Sequence, residues 1–341
     1  MSAAWEHGSD FHWVDAAGHS PSAAPWPGRG FGNGRQALVA ALRHLGASRV
    51  WVPDYYCLDV SHAVLDDGFE VRSYEHCPGR EPNPFATEAG DVIVAVDFFG
   101  WGVPQLEVPP GVTVLEDRTH RLRQDGQNWF ASLRKTLPVP DGGWLMLAGQ
   151  IDAAPRRLEH VEAANHRLTG MLLKREYLAG RMPDKAAFRE DSLAGERAFS
   201  AQPSQPLALS VTVATGYDWT SWDERRRRNW DAFADNYAGA PTLCGDSNST
   251  FVVLKCPDNS TREALRAHLV SERIYPAVLW SLQGSRLSVS AEARDFSETM
   301  LALHCDGRYA PAEMQTVASL CSALFSRGSA HSRWGALASA G

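Results

Sequence analysis

Residues 91–117 read DVIVAVDFFGWGVPQLEVPPGVTVLED. Two apolar runs, DVIVAV (91–96) and VTVLED (112–117), flank a Pro- and Gly-rich connection; Asp97 directly follows the first, and the second ends in Asp117. Strands apolar at nearly every position are covered on both faces, the condition of a parallel sheet with helices above and below. Working outward, VWVP (50–53) reads as a short buried strand stopped by Pro53, EVRSYE (70–75) alternates like a strand, and WLMLA (144–148) adds one more. GNGRQALVAALRHLG, from Gly32 to Gly46, opens a helix with glycines, places apolar residues at 37, 38, 41, 42 and 45, and closes it at Gly46. CLDVSHAVLDDG (57–68) has helical spacing and a terminal glycine. Strands alternating with helices predict an α/β domain with a mostly parallel sheet.

The two ends differ from this middle. Residues 1–30 are rich in Trp, Pro and Gly without periodicity and predict an extended arm. After a polar segment near 180–206, WDERRRRNWDAFADNYAG (222–239) reads as an amphipathic helix with a basic stripe, STFVVLKC as a strand, STREALRAHLVSERI as a helix, RLSVS (286–290) as a short strand and EMQTVASLCSALFS as an apolar-faced helix. The resulting division is an arm over 1–30, a large domain over 31–215, a smaller α+β domain over 216–326 and a disordered tail over 327–341.

Bulk properties narrow the function. The 341 residues are 44% hydrophobic and 21% charged with a net charge of −7, which suits a globular protein and argues against nucleic acid as a partner. No apolar run is long enough for a membrane span, and MSAAWEHGSDFHW has neither the basic start nor the apolar core of a secretory signal. Six cysteines without Cys-x-x-Cys spacing predict reduced thiols, no metal site and a cytoplasmic protein.

Lysine usage is the sharper signal. Lys135, Lys174, Lys185 and Lys255 are the only lysines, so 33 − 4 = 29 of the basic residues are arginine. Arginine stays protonated, whereas a desolvated lysine can shed its proton and condense with a carbonyl. Lys135 stands alone among the first 173 residues, in FASLRKTLPVPDGG (130–143). It is therefore a candidate for covalent chemistry, set against an ordinary surface lysine. Ser132, three residues earlier, raises the alternative of a nucleophilic serine with a lysine base. That motif opens a helix, and Pro138 and Pro140 stand where its first turns would run.

Open parallel sheets bind ligands at the C-terminal ends of their strands. A glycine-opened helix for a phosphate, Asp117 at a strand end and Lys135 in the next loop are the parts pyridoxal phosphate needs. The order GNGRQAL, VWVPDYYC, VAVDFFG, LEDRTH, SLRK and DGG resembles fold-type-I pyridoxal-phosphate enzymes of the DegT-like sugar-aminotransferase superfamily, with similarity extending through RRRRN to CDGRY. The resemblance implies a three-layer α/β/α domain with a smaller α+β domain. It implies Lys135 as the internal aldimine, Asp117 at the pyridine nitrogen, and the Gly34 and Arg35 backbone amides on the phosphate.

Other positions carry over by the same resemblance. His120 matches a position near the cofactor, and Ser132 donates to the phosphate or caps its loop. Tyr56 lies where the family's stacking aromatic is expected, although the alignment places that position on Cys57, with core packing as the other reading of Tyr56. Asp97 reads as a cofactor neighbour or as a structural carboxylate. Amino transfer between a small-molecule amino donor and a keto acceptor, on a sugar or a biosynthetic intermediate, is the implied reaction. The same apparatus serves elimination, racemisation or decarboxylation, and a non-catalytic member of the fold is a further alternative. A homodimer with shared sites is expected, with the arm and the segment around Asn165 and Arg167 as contacts. Arg308 and Arg225 to Arg228 are nominated for a substrate carboxylate, the run also reading as a solvated helix face.

Overall fold

The computed structural model describes residues 5–15, 27–123 and 125–326. The tail expected at 327–341 and parts of the arm lie outside the described residues. In chain order the elements begin with β1 (His7–Gly8), β2 (Arg29–Phe31), α1 (Gly34–Leu45), β3 (Arg49–Pro53), α2 (Leu58–Asp66) and β4 (Glu70–Tyr74). They continue through β5 (Asp91–Val96), β6 (Thr113–Asp117), β7 (Trp129–Ser132), β8 (Gly143–Met146), α3 (Leu158–Leu178), α4 (Ala186–Ala198) and α5 (Ala208–Gly216). Then follow α6 (Trp219–Ala234), β9 (Thr242–Cys244), β10 (Phe251–Lys255), α7 (Asn259–Ser271), β11 (Ile274–Tyr275), α8 (Ala291–Thr299), β12 (Met300–His304) and α9 (Pro311–Ser326).

The chain divides into two compact units. Among the described residues, the first takes 5, 10–15, 27–123, 125–219 and 280–297, and the second takes 6–9, 220–279 and 298–326. The first unit is α/β. Its seven strands lie in the order β2-β8-β7-β6-β5-β3-β4. All run parallel except β8, which is antiparallel to both its neighbours. All six residues of β5 are buried, as expected of a strand covered on both faces. Alternation in β4 leaves only Tyr74 fully buried, in keeping with its place at the sheet edge. The α1 helix is capped at both ends by its own sequence. The Asn33 side chain accepts from the Gln36 N–H, and Gly46 adopts a left-handed φ of 60° that lets its N–H reach back to the Arg43 and Leu42 carbonyls.

The second unit is α+β. It pairs a three-stranded antiparallel sheet, β12-β10-β9, with the short parallel pair β1-β11. Trp230 and Phe233 of α6, Leu265 and Leu269 of α7, and Met314 and Val317 of α9 close its core over Val252, Leu254, Leu301 and Leu303.

Two expectations change. Arg286–Ser290 forms no strand and belongs to the first unit. A five-residue alternation has no sheet edge to join there; instead the Ser290 N–H donates to Asp54 at 2.8 Å and the Ser288 carbonyl accepts from Ser73 Oγ at 2.9 Å. The arm is not uniformly extended. Residues 7–8 form a sheet strand, and Asp10 to Asp15 runs along α3, where Lys174 Nζ donates to the Asp10 carbonyl at 2.7 Å and the Trp13 N–H donates to the Met171 carbonyl at 3.0 Å. The arginine run is a solvated face at Arg225, Arg227 and Arg228, which are exposed, and departs from that reading only at Arg226. Arg226 is buried and donates to the Ser247 and Ser249 carbonyls, Arg225 donates to the Gly307 carbonyl, and Arg227 pairs with Asp223.

Candidate functional site

The helix N-terminus, β6 and β7 bring the predicted residues together at the C-terminal end of the parallel strands. At α1, the cap by Asn33 satisfies the Gln36 N–H, and the Asn33 carbonyl accepts from Ala37. The N–H groups of Gly34 and Arg35 have no acceptor among the described residues and sit at the positive end of the helix dipole. The Arg35 side chain reaches away to the Phe199 carbonyl at 3.4 Å.

Gly34 has a steric reason. A Cβ there would lie 2.9 Å from Ser132 Cβ and 3.3 Å from Ser132 Cα, so the helix start rests directly on the end of β7. The Ser132 N–H donates to Thr119 Oγ1 at 3.0 Å, while its hydroxyl makes no capping bond to the 3-10 turn that follows. Ser132 is thus anchored through its backbone, with its Cα and Cβ against the helix N-terminus, and its side chain does not cap the turn that follows. We expect Gly34→Ala to force this contact apart at a cost of about 1–3 kcal/mol, measured by denaturant unfolding, and to loosen phosphate binding in a ligand titration.

A buried network fixes this cradle from behind. Asp141, fully buried in the DGG loop, accepts from His160 Nε2 at 2.8 Å, from the Leu207 N–H at 2.9 Å and from the Ser210 hydroxyl. The next residue returns to the cradle, the Gly142 N–H donating to the Gly32 carbonyl at 2.7 Å and the Gly142 carbonyl accepting from Leu133 at 2.9 Å. Gln36 Oε1 accepts from both the Gly32 and Ser204 N–H groups. Three donors on one buried carboxylate leave it fully solvated by protein.

Asp117 ends β6 and is buried. Its Oδ1 accepts from the Thr119 N–H at 2.9 Å and its Oδ2 from the Tyr56 hydroxyl at 2.6 Å. No Lys, Arg or His lies within ion-pair distance among the described residues, and burial raises its pKa above the usual value. Tyr56 therefore holds Asp117 through its hydroxyl, with its ring edge-on to Trp280 at 6.0 Å. Tyr55 is core, packed on Phe98, Phe296 and Trp280. Cys57 stands half-buried at the start of α2 without a capping bond, within electrostatic reach of Lys135.

His120 lies between aromatic rings, stacked on Phe99 at 5.4 Å and on Trp280 at 5.3 Å. Its Nδ1 accepts from the Phe99 N–H at 3.0 Å, so the ring proton resides on Nε2. That N–H is presented because Phe99 adopts a left-handed φ of 55°, a strained choice for a bulky residue. Burial, then the charge of Lys135, lowers the His120 pKa to about 3, so it is neutral at physiological pH. Asp97 serves the same turn. Its Oδ1 accepts from the Gly102 N–H at 2.7 Å, Arg123 lies 3.7 Å from Oδ2, and burial raises its pKa.

Lys135 ends the 3-10 turn Leu133–Lys135. Its side chain is exposed to solvent, and the charge of Arg134, the largest influence, lowers its pKa. Arg134 is paired in turn with Glu196 of α4. Arg308 departs from expectation. Its guanidinium is buried against Asp306, with both Nε and NH2 at 2.8 Å from carboxylate oxygens, and is committed there instead of being held for a substrate. Arg167 is likewise buried and engaged within its own chain, to Asp10 at 3.2 Å and the Ser192 carbonyl at 3.3 Å, whereas Asn165 is exposed.

Several contributors escape the sequence reading. Trp280 and Glu196 come from segments far along the chain, with no motif to announce them. Asp141 and Arg134 sit inside quoted motifs, beside the residues they support, and adjacency was the available signal.

The site's donor set fits pyridoxal phosphate. Free helix N-terminal N–H groups and a hydroxyl suit a phosphate, a buried carboxylate without a cation suits a protonated ring nitrogen, and a lysine of lowered pKa suits an aldehyde. No family profile and no curated protein matches the sequence. Solved structures do match. The PLP form of Spr1654 from Streptococcus pneumoniae, described as a sugar aminotransferase, aligns with a TM-score of 0.61 and 14% identity over 88% of this chain and 87% of that one. DesI, solved with its TDP-sugar product, gives 0.58 and 16% over 88% and 81%. DesV from S. venezuelae gives 0.57 and 16% over 87% and 84%. At such identities the likeness is one of architecture, and the chain has the fold of the sugar aminotransferases.

Proposed function

We propose that the protein is a pyridoxal-phosphate-dependent aminotransferase in which Lys135 carries the cofactor, Asp117 faces its pyridine nitrogen, and the Gly34 and Arg35 N–H groups with Ser132 hold its phosphate. The observation that carries this reading is Asp117, a buried strand-end carboxylate with two hydrogen bonds and no cation. Such a group calls for a positive partner, which a protonated ring nitrogen provides.

When bound, the cofactor supplies an electron sink for the bonds around the amino-bearing carbon. Asp117, oriented by Tyr56 and Thr119, keeps the proton on the ring nitrogen. Lys135, with its depressed basicity, spends more time as the free amine, able to attack a carbonyl and then to move the proton at the substrate carbon. His120, neutral and clamped by Phe99 and Trp280, offers an Nε2–H donor of fixed direction without adding charge.

The sugar aminotransferases that share the fold support a sugar or related biosynthetic intermediate as keto acceptor, with an amino acid as donor. We propose further that the enzyme works as a homodimer in the cytoplasm, a compartment in keeping with six free cysteines. A single-turnover assay tests the reaction class. Donor without acceptor should release about one equivalent of keto product per site and then stop, resuming when acceptor is added, the ping-pong pattern. Continuous turnover of the donor alone would instead identify an eliminase or decarboxylase.

A further inference from the structure

Burial of Asp117 works against the role given to it. A carboxylate withdrawn from water without a cation gains affinity for a proton. A ring nitrogen facing Asp117 would share one proton with it, and a carboxyl that kept this proton would leave the ring without its positive charge. The fold has to favour the charged form of Asp117, and two donors do so. Oδ1 accepts from the Thr119 N–H at 2.9 Å, and Oδ2 accepts from the Tyr56 hydroxyl at 2.6 Å. The second distance falls in the range of a hydroxyl bonded to an ionised carboxylate, about 2.5–2.7 Å. Tyr56 is 2% exposed and stands edge-on to Trp280 at 6.0 Å, so its hydroxyl is held in place by packing.

Resting on the aminotransferase reading, we propose that Tyr56 is a positioning residue whose hydroxyl holds Asp117 as the anion, so that the shared proton stays on the cofactor's ring nitrogen. A hydrogen bond donated to the charged form of a carboxyl favours that form. The Thr119 N–H belongs to the backbone and is there whatever the side chain; the Tyr56 hydroxyl is what one side chain adds. The direction found for Asp117 agrees, burial raising its pKa while the bonds from Thr119 and Tyr56 lower it. Three further titratable groups face the pair. Asp97, at the end of the neighbouring strand, donates its N–H to the Asp117 carbonyl at 3.0 Å and has Arg123 3.7 Å from its Oδ2. Cys57 and Tyr74 of β4 face Tyr56. Burial raises Cys57, Tyr74 and Tyr56 alike, so all three keep their protons near neutral pH and Tyr56 acts as a donor. Asp97, Cys57 and Tyr74 are the same in wild type and in the Tyr56 variants below, and so drop out of the comparison.

The test reads the carboxyl first and the nitrogen second. Full-length protein freed of cofactor and carrying carbon-13 in its aspartate carboxyls is titrated by NMR, with the Asp117 resonance assigned by its loss in Asp117→Asn. Tyr56→Phe should raise the Asp117 midpoint by about one to two pH units, the equivalent of one hydrogen bond to a charged group. Replacing the Tyr56 side chain by 3-fluorotyrosine, a stronger donor of nearly the same shape, should move the midpoint down. Should Tyr56→Phe fail to fold, the fluorinated protein decides alone. A midpoint that stays in place while melting temperature falls would show a purely structural tyrosine and overturn the proposal, as would shifts of the same sign in both proteins. Nitrogen-15-labelled pyridoxal phosphate is then added, and its ring-nitrogen resonance should report a protonated nitrogen in wild type and a larger unprotonated share in Tyr56→Phe. Equal shares in the two would also overturn the proposal. Failure of wild type to bind the cofactor would instead refute the aminotransferase reading, while the midpoints of the cofactor-free proteins still decide what Tyr56 does to Asp117.

Discussion

Lys135→Arg is expected to lose at least about a thousandfold in turnover while remaining folded. The substitution keeps the positive charge and nearly the length of the side chain, yet a guanidinium does not deprotonate in the accessible pH range and cannot attack a carbonyl. Borohydride treatment of wild type with pyridoxal phosphate should fix the cofactor to a single peptide containing Lys135, and the arginine variant should show no adduct. The other lysines are poor rivals for physical reasons. Lys174 is buried and donates to the Asp10 carbonyl at 2.7 Å, Lys185 precedes α4, and Lys255 lies on β10 of the second unit. An adduct mapped to any of these three would remove Lys135 from its role, and with it the proposed function.

Asp117→Asn is expected to retain the fold and cofactor binding but to turn over roughly a hundred to a thousand times more slowly, the range for losing one preorganised electrostatic partner. The amide can still accept from Tyr56 or Thr119, so the local hydrogen bonding survives; what disappears is the charge that keeps the ring nitrogen protonated. Stability measurements separate this from a folding defect. In the cofactor-free protein the folded-state pKa of Asp117 lies above its unfolded value, so its contribution is fully present below the unfolded pKa and is lost as pH rises through the folded pKa. The asparagine variant lacks that loss. It should therefore be more stable than wild type at neutral pH without cofactor, and should gain less in melting temperature than wild type when pyridoxal phosphate is added. Equal gains in the two proteins, with near-normal turnover, would show that another group faces the nitrogen.

Much of the first unit is decided by the sequence alone, because local rules and burial agree there. VIVAV (92–96), apolar at every position, reads as a strand covered on both faces, and β5 is buried along its whole length. The Asn33 cap and the left-handed Gly46 bound α1 where the glycines of GNGRQALVAALRHLG place its ends. Lysine scarcity isolates Lys135 before any contact is known.

The tertiary structure decides what depends on distant partners. A strand's direction is not written in its own residues, so WLMLA could not reveal that β8 runs against the sheet. Alternation in RLSVS promises a strand, yet pairing needs a free edge, and the segment satisfies its backbone on Asp54 and Ser73 instead. Tyr56 is the same case within the site. Its aromatic ring suggested stacking, and only the fold shows its hydroxyl turned to Asp117. Likewise Arg134 finds its partner in Glu196, 62 residues beyond it in sequence, because a buried ion pair is chosen by the packing of α4 and not by any spacing along the chain.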